Sequence, residues 1–350
     1  MKCIVIASLA FASMGFISGH HPTPYTFPEL KFFPPIVLPD NNPLTVEGAN
    51  LGRYLFYDSI LSRNYRFSCA TCHQQAYAFS SGPIQFSSGS NGELLKRNTL
   101  PLFNLVWYKS FFWDGRTHDL ESQVSEPLHA ENELNMDWQL AIGRLSKSNF
   151  YKQKFFDAFG ANAIDSDHIK MAIAQFERTL ISANSKYDKV LKGESIFTSD
   201  EKEGFLIMNE INAGGCLHCH TTDGSPLGTN LKFSDNGLGA YYTIADYPDR
   251  GLGSVTGRQE DIGKFKIPSL RNIAVTAPYM HDGRFATLEE VLDFYSEGVQ
   301  QSVNIDPKMT FAIAHGAQLS CDERQKIIAF LHTLTDSSFI SNPEFANPFK

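Results

Sequence analysis

Cysteine is scarce, at six in 350 residues, too few for a disulfide scaffold, so placement matters more than number. Positive charge is scarce too: 30 Lys plus Arg stand against 38 Asp plus Glu, a formal net charge of −8 with no basic cluster. This excludes a phosphate-backbone partner, and no nucleic acid is expected. Long apolar runs are absent. The longest, residues 4–17, covers 14 residues, short of the roughly 20 that span a bilayer. Sustained strand alternation is missing as well, which argues against a sheet-built fold. With 42% hydrophobic and 19% charged residues the chain is no disordered polymer, and its length suits about two domains.

The N-terminus has the layout of an export signal: Lys2, an apolar run from Ile4 to Ile17, then Ser18 and Gly19 before a polar His20-His21-Pro22. Cleavage after residue 19 removes Lys2 and no acid, leaving a charge of −9. The mature protein is expected to be soluble, periplasmic and without a membrane span. Residues 20–44 form a proline-rich arm, with seven prolines from Pro22 to Pro43, extended over the surface. Helical signals then dominate. Asp165 and Ser166 can cap a helix with apolar Ile169, Ile173, Phe176 and Leu180. Capping boxes pair Thr198 with Glu201, Thr287 with Glu290 and Ser320 with Glu323. Residues 79–92 and 222–263, rich in Gly, Ser, Asn and Asp, read as long functional loops. A seam is expected near residues 185–199. Cys321 reads as a buried core cysteine on the last helix.

Cys69-Ala70-Thr71-Cys72-His73 and Cys216-Leu217-His218-Cys219-His220 are both C-x-x-C-H, the attachment signature of c-type haem. Two cysteines three apart can form thioethers to the vinyl groups of one porphyrin, and the adjoining histidine sits beneath the iron. The alternatives are a four-cysteine zinc site and two redox disulfides. Zinc sites of this pattern separate their pairs by about 15 to 20 residues, whereas these lie 147 apart, and neither alternative explains a histidine after each pair. Two covalently bound haem c groups are expected, one per half, although the flanking residues show no convincing repeat.

These motifs, with Phe112-Trp113-Asp114-Gly115-Arg116, Glu133, and Ile267-Pro268-Ser269-Leu270-Arg271-Asn272 leading to Ala277-Pro278-Tyr279-Met280-His281-Asp282-Gly283-Arg284, resemble the bacterial dihaem cytochrome c peroxidases together with MauG. The resemblance covers most of the mature chain. It implies a mostly α fold: two cytochrome c-like haem domains at 45–190 and 191–335, long loops, few or no strands, and a tail at 336–350 packing back on the first domain. It implies hydrogen peroxide as oxidant at the first haem, and Trp113 between the haems. It also implies Glu133 as acid and base, with Gln123 and Pro127 lining the same distal pocket. His129 and Glu131 stand close enough in sequence to be rivals for that role. A calcium ion between the haems would take Asn98 and the backbone carbonyls of Thr276 and Pro278.

Fourteen residues after His281, where the peroxidases of the family carry methionine, stands Tyr295, as in MauG-like members. A thioether favours Fe(II) and raises the haem potential; a phenolate favours Fe(III) and higher states. Met280 and Met309 are the alternative ligands. The histidine that blocks the first haem of classical peroxidases has no counterpart between His73 and His118, so haem 1 is expected to be open at rest.

The expected activity is therefore that of an exported dihaem oxidoreductase that reacts with peroxide at haem 1. It would use two oxidising equivalents, shared with a His/Tyr haem 2, on a protein substrate or small redox donor. The alternatives are a scavenging cytochrome c peroxidase served by cytochrome c or a cupredoxin, and a non-catalytic electron carrier.

Overall fold

The computed structural model describes residues 21–160, 164–210, 215–222 and 226–350; the export signal read at residues 1–19 lies outside them. The helices are α1 (Val46–Tyr57), α2 (Cys69–Cys72), α3 (Leu120–His129), α4 (Trp138–Leu145), α5 (Asn149–Phe159), α6 (Ser166–Thr179), α7 (Lys186–Leu191), α8 (Ser199–Asn209), α9 (Gly253–Thr256), α10 (Leu288–Asp293), α11 (Thr310–His315), α12 (Cys321–His332) and α13 (Ser337–Ile340). Among the described residues the only sheet is a two-residue antiparallel pair, β1 (Phe233–Ser234) with β2 (Phe265–Lys266). The mostly α expectation holds. Asp165 caps α6, and the capping boxes at Thr198, Thr287 and Ser320 open α8, α10 and α12, each satisfying amide groups that a helix start leaves unpaired.

Two helix pairs organise the cores. α1 crosses α6 where a Cβ on Gly52 would lie 1.9 Å from the Ala172 carbonyl oxygen, and α8 crosses α12 where one on Gly204 would lie 2.0 Å from that of Lys326. Only glycine allows either approach. The first pair closes a core with α3, α4 and α5 that includes Leu51, Leu128, Leu145 and Phe155; the second closes one with Met208, Leu292, Ile327 and Phe330. A third, aromatic cluster beneath α2 takes in Phe56, Phe79 and Phe176, and receives Phe339 and Phe345 from the C-terminal segment. That segment is also tied by Tyr57 Oη–H to the Phe345 carbonyl (2.7 Å) and by Arg53 Nε–H to that of Ala346 (2.7 Å). The proline-rich arm is pinned by Trp107, which donates to the Pro34 carbonyl (2.9 Å) and stacks on Phe33.

Two sequence expectations are corrected. Cys321 is exposed: it follows the cap residue Ser320 on the outer face of α12, whose buried face is Ile327, Phe330 and Leu331, and α13 follows that helix. The chain also contains a repeat. Asn104 and Asn272, with φ of 57° and 56°, each start a 3₁₀ turn. Each turn leads to an antiparallel bridge, Phe111 with Thr117 and Tyr279 with Phe285. Each bridge encloses an Asp-Gly-Arg, at 114–116 and 282–284, and runs into a helix beginning at Leu120 or Leu288. Every pair is 168 residues apart, against 147 for the haem motifs. The extra residues in the back half shift the register, which hides the repeat from a search at the motif spacing.

Candidate active site

Each C-x-x-C-H presents its histidine alike. A capping box at Ser68 and Thr71 starts α2, whereas Cys216–His218 form a 3₁₀ turn. His73 Nδ1–H donates to the Phe79 carbonyl (2.7 Å), and His220 Nδ1–H to that of Pro268 (2.9 Å). Burial pushes both imidazoles down to about 4. Both rings are therefore neutral at ordinary pH, the form that binds a metal. All four motif cysteines are unpaired thiols.

A sizeable cavity adjoins each of these histidines. The larger, about 960 Å³, is lined by Cys72, His73, Gln123, Pro127 and Glu133 on one side, and by Asp235, Tyr247, Phe265 and His281 on the other. Arg97, Arg116, Arg250 and Arg284 also face it, Arg97 and Arg116 paired with Asp114 and Arg284 with Asp282. The second, about 230 Å³, is lined by Cys216, Cys219, His220, Met280, Tyr295 and Met309. Paired thiols, a neutral imidazole and a cavity above each histidine fit a covalently held haem in both places. Trp113 lines both cavities. It is buried, donates from Nε1 to the Asn98 carbonyl (2.8 Å), and meets His281 edge to face at 6.4 Å. By the 168-residue repeat, Trp113 and His281 are equivalent positions.

Glu133 is held by backbone bonds from its N–H to Ala130 (2.9 Å) and to its carbonyl from Ser90 N–H (2.7 Å), so the 79–92 loop positions it. Burial raises its carboxyl above the usual range, with Arg116 opposing. Its rivals do not share its place. Glu131 and His129 are exposed and line neither cavity; His129 Nδ1–H donates to the Ser125 carbonyl (2.7 Å), and its ring packs on Trp138.

Tyr295 lines the second cavity, and burial pushes its phenol up to about 12. Asn236, which the sequence reading overlooked, donates from Nδ2 to Tyr295 Oη (3.0 Å) and also faces Met280 Sδ (3.7 Å). Its only sequence signal was membership of the 222–263 loop. Tyr295 is the repeat equivalent of Pro127, also 168 residues away. The back half thus presents an oxygen donor where the front half has a residue with no side-chain donor at all.

Among the described residues no group of three or more His, Cys, Asp or Glu could hold a metal ion. Asn98 N–H donates to the His281 carbonyl (2.7 Å) and Asn98 Nδ2 to that of Gln85 (3.0 Å), which brings Asn98 against the segment carrying Thr276 and Pro278.

Residues 46–196 match the family described as di-haem cytochrome c peroxidase. The methylamine utilization protein MauG of Methylorubrum extorquens is 38% identical over 85% of this chain and 80% of its own length. This chain belongs to the di-haem cytochrome c peroxidase/MauG family. Cytochrome c551 peroxidase of Nitrosomonas europaea is 32% identical over 97% of this chain and 90% of its own. The crystal structure of a MauG-like protein associated with microbial copper homeostasis superposes with a TM-score of 0.83 at 34% identity, covering 93% of this chain and 100% of that one. Family membership makes the protein a dihaem oxidoreductase with two haem c groups. MauG and peroxidase names both occur among its relatives.

Proposed function

We propose that the protein is an exported, periplasmic, MauG-like oxidase that consumes hydrogen peroxide in the larger cavity and oxidises a protein side chain or small redox protein outside it. The observation that carries this reading is that Glu133, Gln123 and Pro127 face His73 across one cavity whose described lining includes no methionine and, besides His73, only His281. His281 is stacked on Phe265 at 3.6 Å, on the far side with Trp113. The bound haems supply the redox-active iron. Glu133, desolvated and in reach of the cavity, takes the proton from one peroxide oxygen and returns it to the other, so that water can leave. Gln123 and Pro127 shape the space above His73. Trp113, in the wall between the cavities, couples the two sites. Tyr295, with His220, would hold the second haem, and Asn236 orients the Tyr295 hydroxyl.

The same reading divides the chain into haem-binding halves at 45–190 and 191–335 with a returning tail at 336–350. It also assigns a calcium ion to Asn98 and the carbonyls of Thr276 and Pro278, oxygen donors of the kind calcium takes. Among the described residues no helix is long and apolar enough to cross a membrane, in keeping with a protein that works free of the bilayer after signal cleavage. A second reading, peroxide scavenging with cytochrome c or a cupredoxin as donor, draws support from Met280 and Met309, which line the second cavity with Tyr295. Stopped-flow mixing with peroxide tests the choice. A fast haem response without prior reduction, and slow turnover with a reduced cytochrome c, support the MauG-like reading. A response that needs prior reduction, or fast cytochrome turnover, favours scavenging.

A further inference from the structure

One buried tyrosine facing the larger cavity has no part in the reading above. Tyr247 lines the cavity, and its ring lies 4.5 Å from that of Tyr241, which lines it too. Its Oη–H donates to Asp235 Oδ2 (2.7 Å) and accepts from Asn304 N–H (3.2 Å). Asp235 is buried and also accepts from Ser302 Oγ–H (2.7 Å) and Gly237 N–H (2.9 Å), which fix its orientation. The seat is built for this ring: a Cβ on Gly263, at φ 81°, would lie 2.0 Å from Tyr247 Cε1. Next along the chain from Tyr241 stands Tyr242, 72% exposed, beside the exposed Val303, whose N–H donates to the Tyr241 carbonyl (2.7 Å).

A phenol that loses an electron becomes a strong acid, so its oxidation is easy only where a base already holds the proton's hydrogen bond. The buried tyrosines Tyr187, Tyr279 and Tyr151 fail one condition or the other: Tyr187 belongs to the core of the back half and does not line the larger cavity. Tyr279 donates to a backbone carbonyl, that of Ile273. Tyr151 donates to the carboxylate of Asp58 but belongs to the core closed by α1 and α5, away from the cavity. At rest, burial foremost pushes the Tyr247 phenol up to about 12, so it starts protonated.

We propose that Tyr247, with Asp235 as its proton acceptor, is a redox-active tyrosine that carries oxidising equivalents from the haem cavity through Tyr241 to a donor docked at Tyr242. This rests on the peroxide reading. One electron passes from the Tyr247 phenol to the haem pair oxidised by peroxide; the O–H bond breaks and the proton moves to Asp235 Oδ2. An electron from the external donor then re-forms the phenol as Asp235 returns the proton. Two such passes use the two equivalents of one peroxide.

The test is freeze-quench EPR of the full haem-loaded protein mixed with hydrogen peroxide in the absence of donor. The expected result is an organic radical whose signal narrows when the protein carries ring-deuterated tyrosine and is lost in Tyr247→Phe, with an unchanged optical response of the haems. Asp235→Asn should slow radical formation by about 100-fold, the lower end of what a positioned proton acceptor contributes. Tyr247→Phe removes one hydroxyl and keeps the ring, so the test stands even if Asp235→Asn misfolds. An unchanged radical in Tyr247→Phe, or no tyrosyl radical while the haems respond to peroxide, overturns the relay alone. Haems that do not respond to peroxide overturn the functional reading and the relay with it.

Discussion

The front and back halves share a plan and differ in the side chains they present to their cavities. Each has a helix pair crossing at a glycine, a C-x-x-C-H histidine oriented by a backbone carbonyl, and an asparagine-headed turn leading to an Asp-Gly-Arg bridge and a helix. At equivalent positions of the repeat, the front half lines its cavity with Pro127 and the back half with Tyr295. On the proposed function, one repeated scaffold would hold a reactive haem and an electron-sharing haem that differ in this side-chain donor. Glu133 and Asn236 complete the difference: a desolvated carboxyl in front can move a proton, and an amide behind can only orient a hydroxyl.

The sharpest way to break the comparison is to make the front half resemble the back. Pro127→Tyr should supply a ligand to haem 1, convert its ferric signal from high-spin to low-spin, and abolish the peroxide reaction. A reactive, high-spin haem in that variant would mean the two positions are not equivalent. Next in size, Glu133→Gln should slow the stopped-flow peroxide reaction by about 100-fold or more; near-normal rates would remove Glu133 from proton transfer. Tyr295→Met exchanges a hard donor for a thioether, so the potential of haem 2 should rise. No change in a redox titration would remove Tyr295 as ligand. Smaller effects test the shared plan: Gly52→Ala and Gly204→Ala should each cost about 1–3 kcal/mol in denaturant unfolding, because the added methyl meets a backbone carbonyl. A marked inequality would show that the two crossings are not the same device.

Much of this was legible in the sequence for identifiable reasons. Capping boxes act over three residues, so α8, α10 and α12 could be placed from Thr198, Thr287 and Ser320 alone. The haem motifs are contiguous and chemically constrained. Asn236 was not legible, because its role depends on a loop folding back 59 residues from Tyr295. The repeat escaped for a different reason: the Asp-Gly-Arg segments and the haem motifs keep different spacings, so neither offset aligns both. Cys321 was misplaced because an apolar-periodic helix says little about its first residue, which projects beside the cap rather than into the core.

The central claim is that the front iron is open and the back iron is closed. EPR of the ferric protein as isolated, before any reductant or peroxide is added, reads both irons at once. The account predicts one high-spin haem from the front half beside one low-spin haem from the back; two low-spin signals would show that a protein ligand already fills the front site and would contradict it.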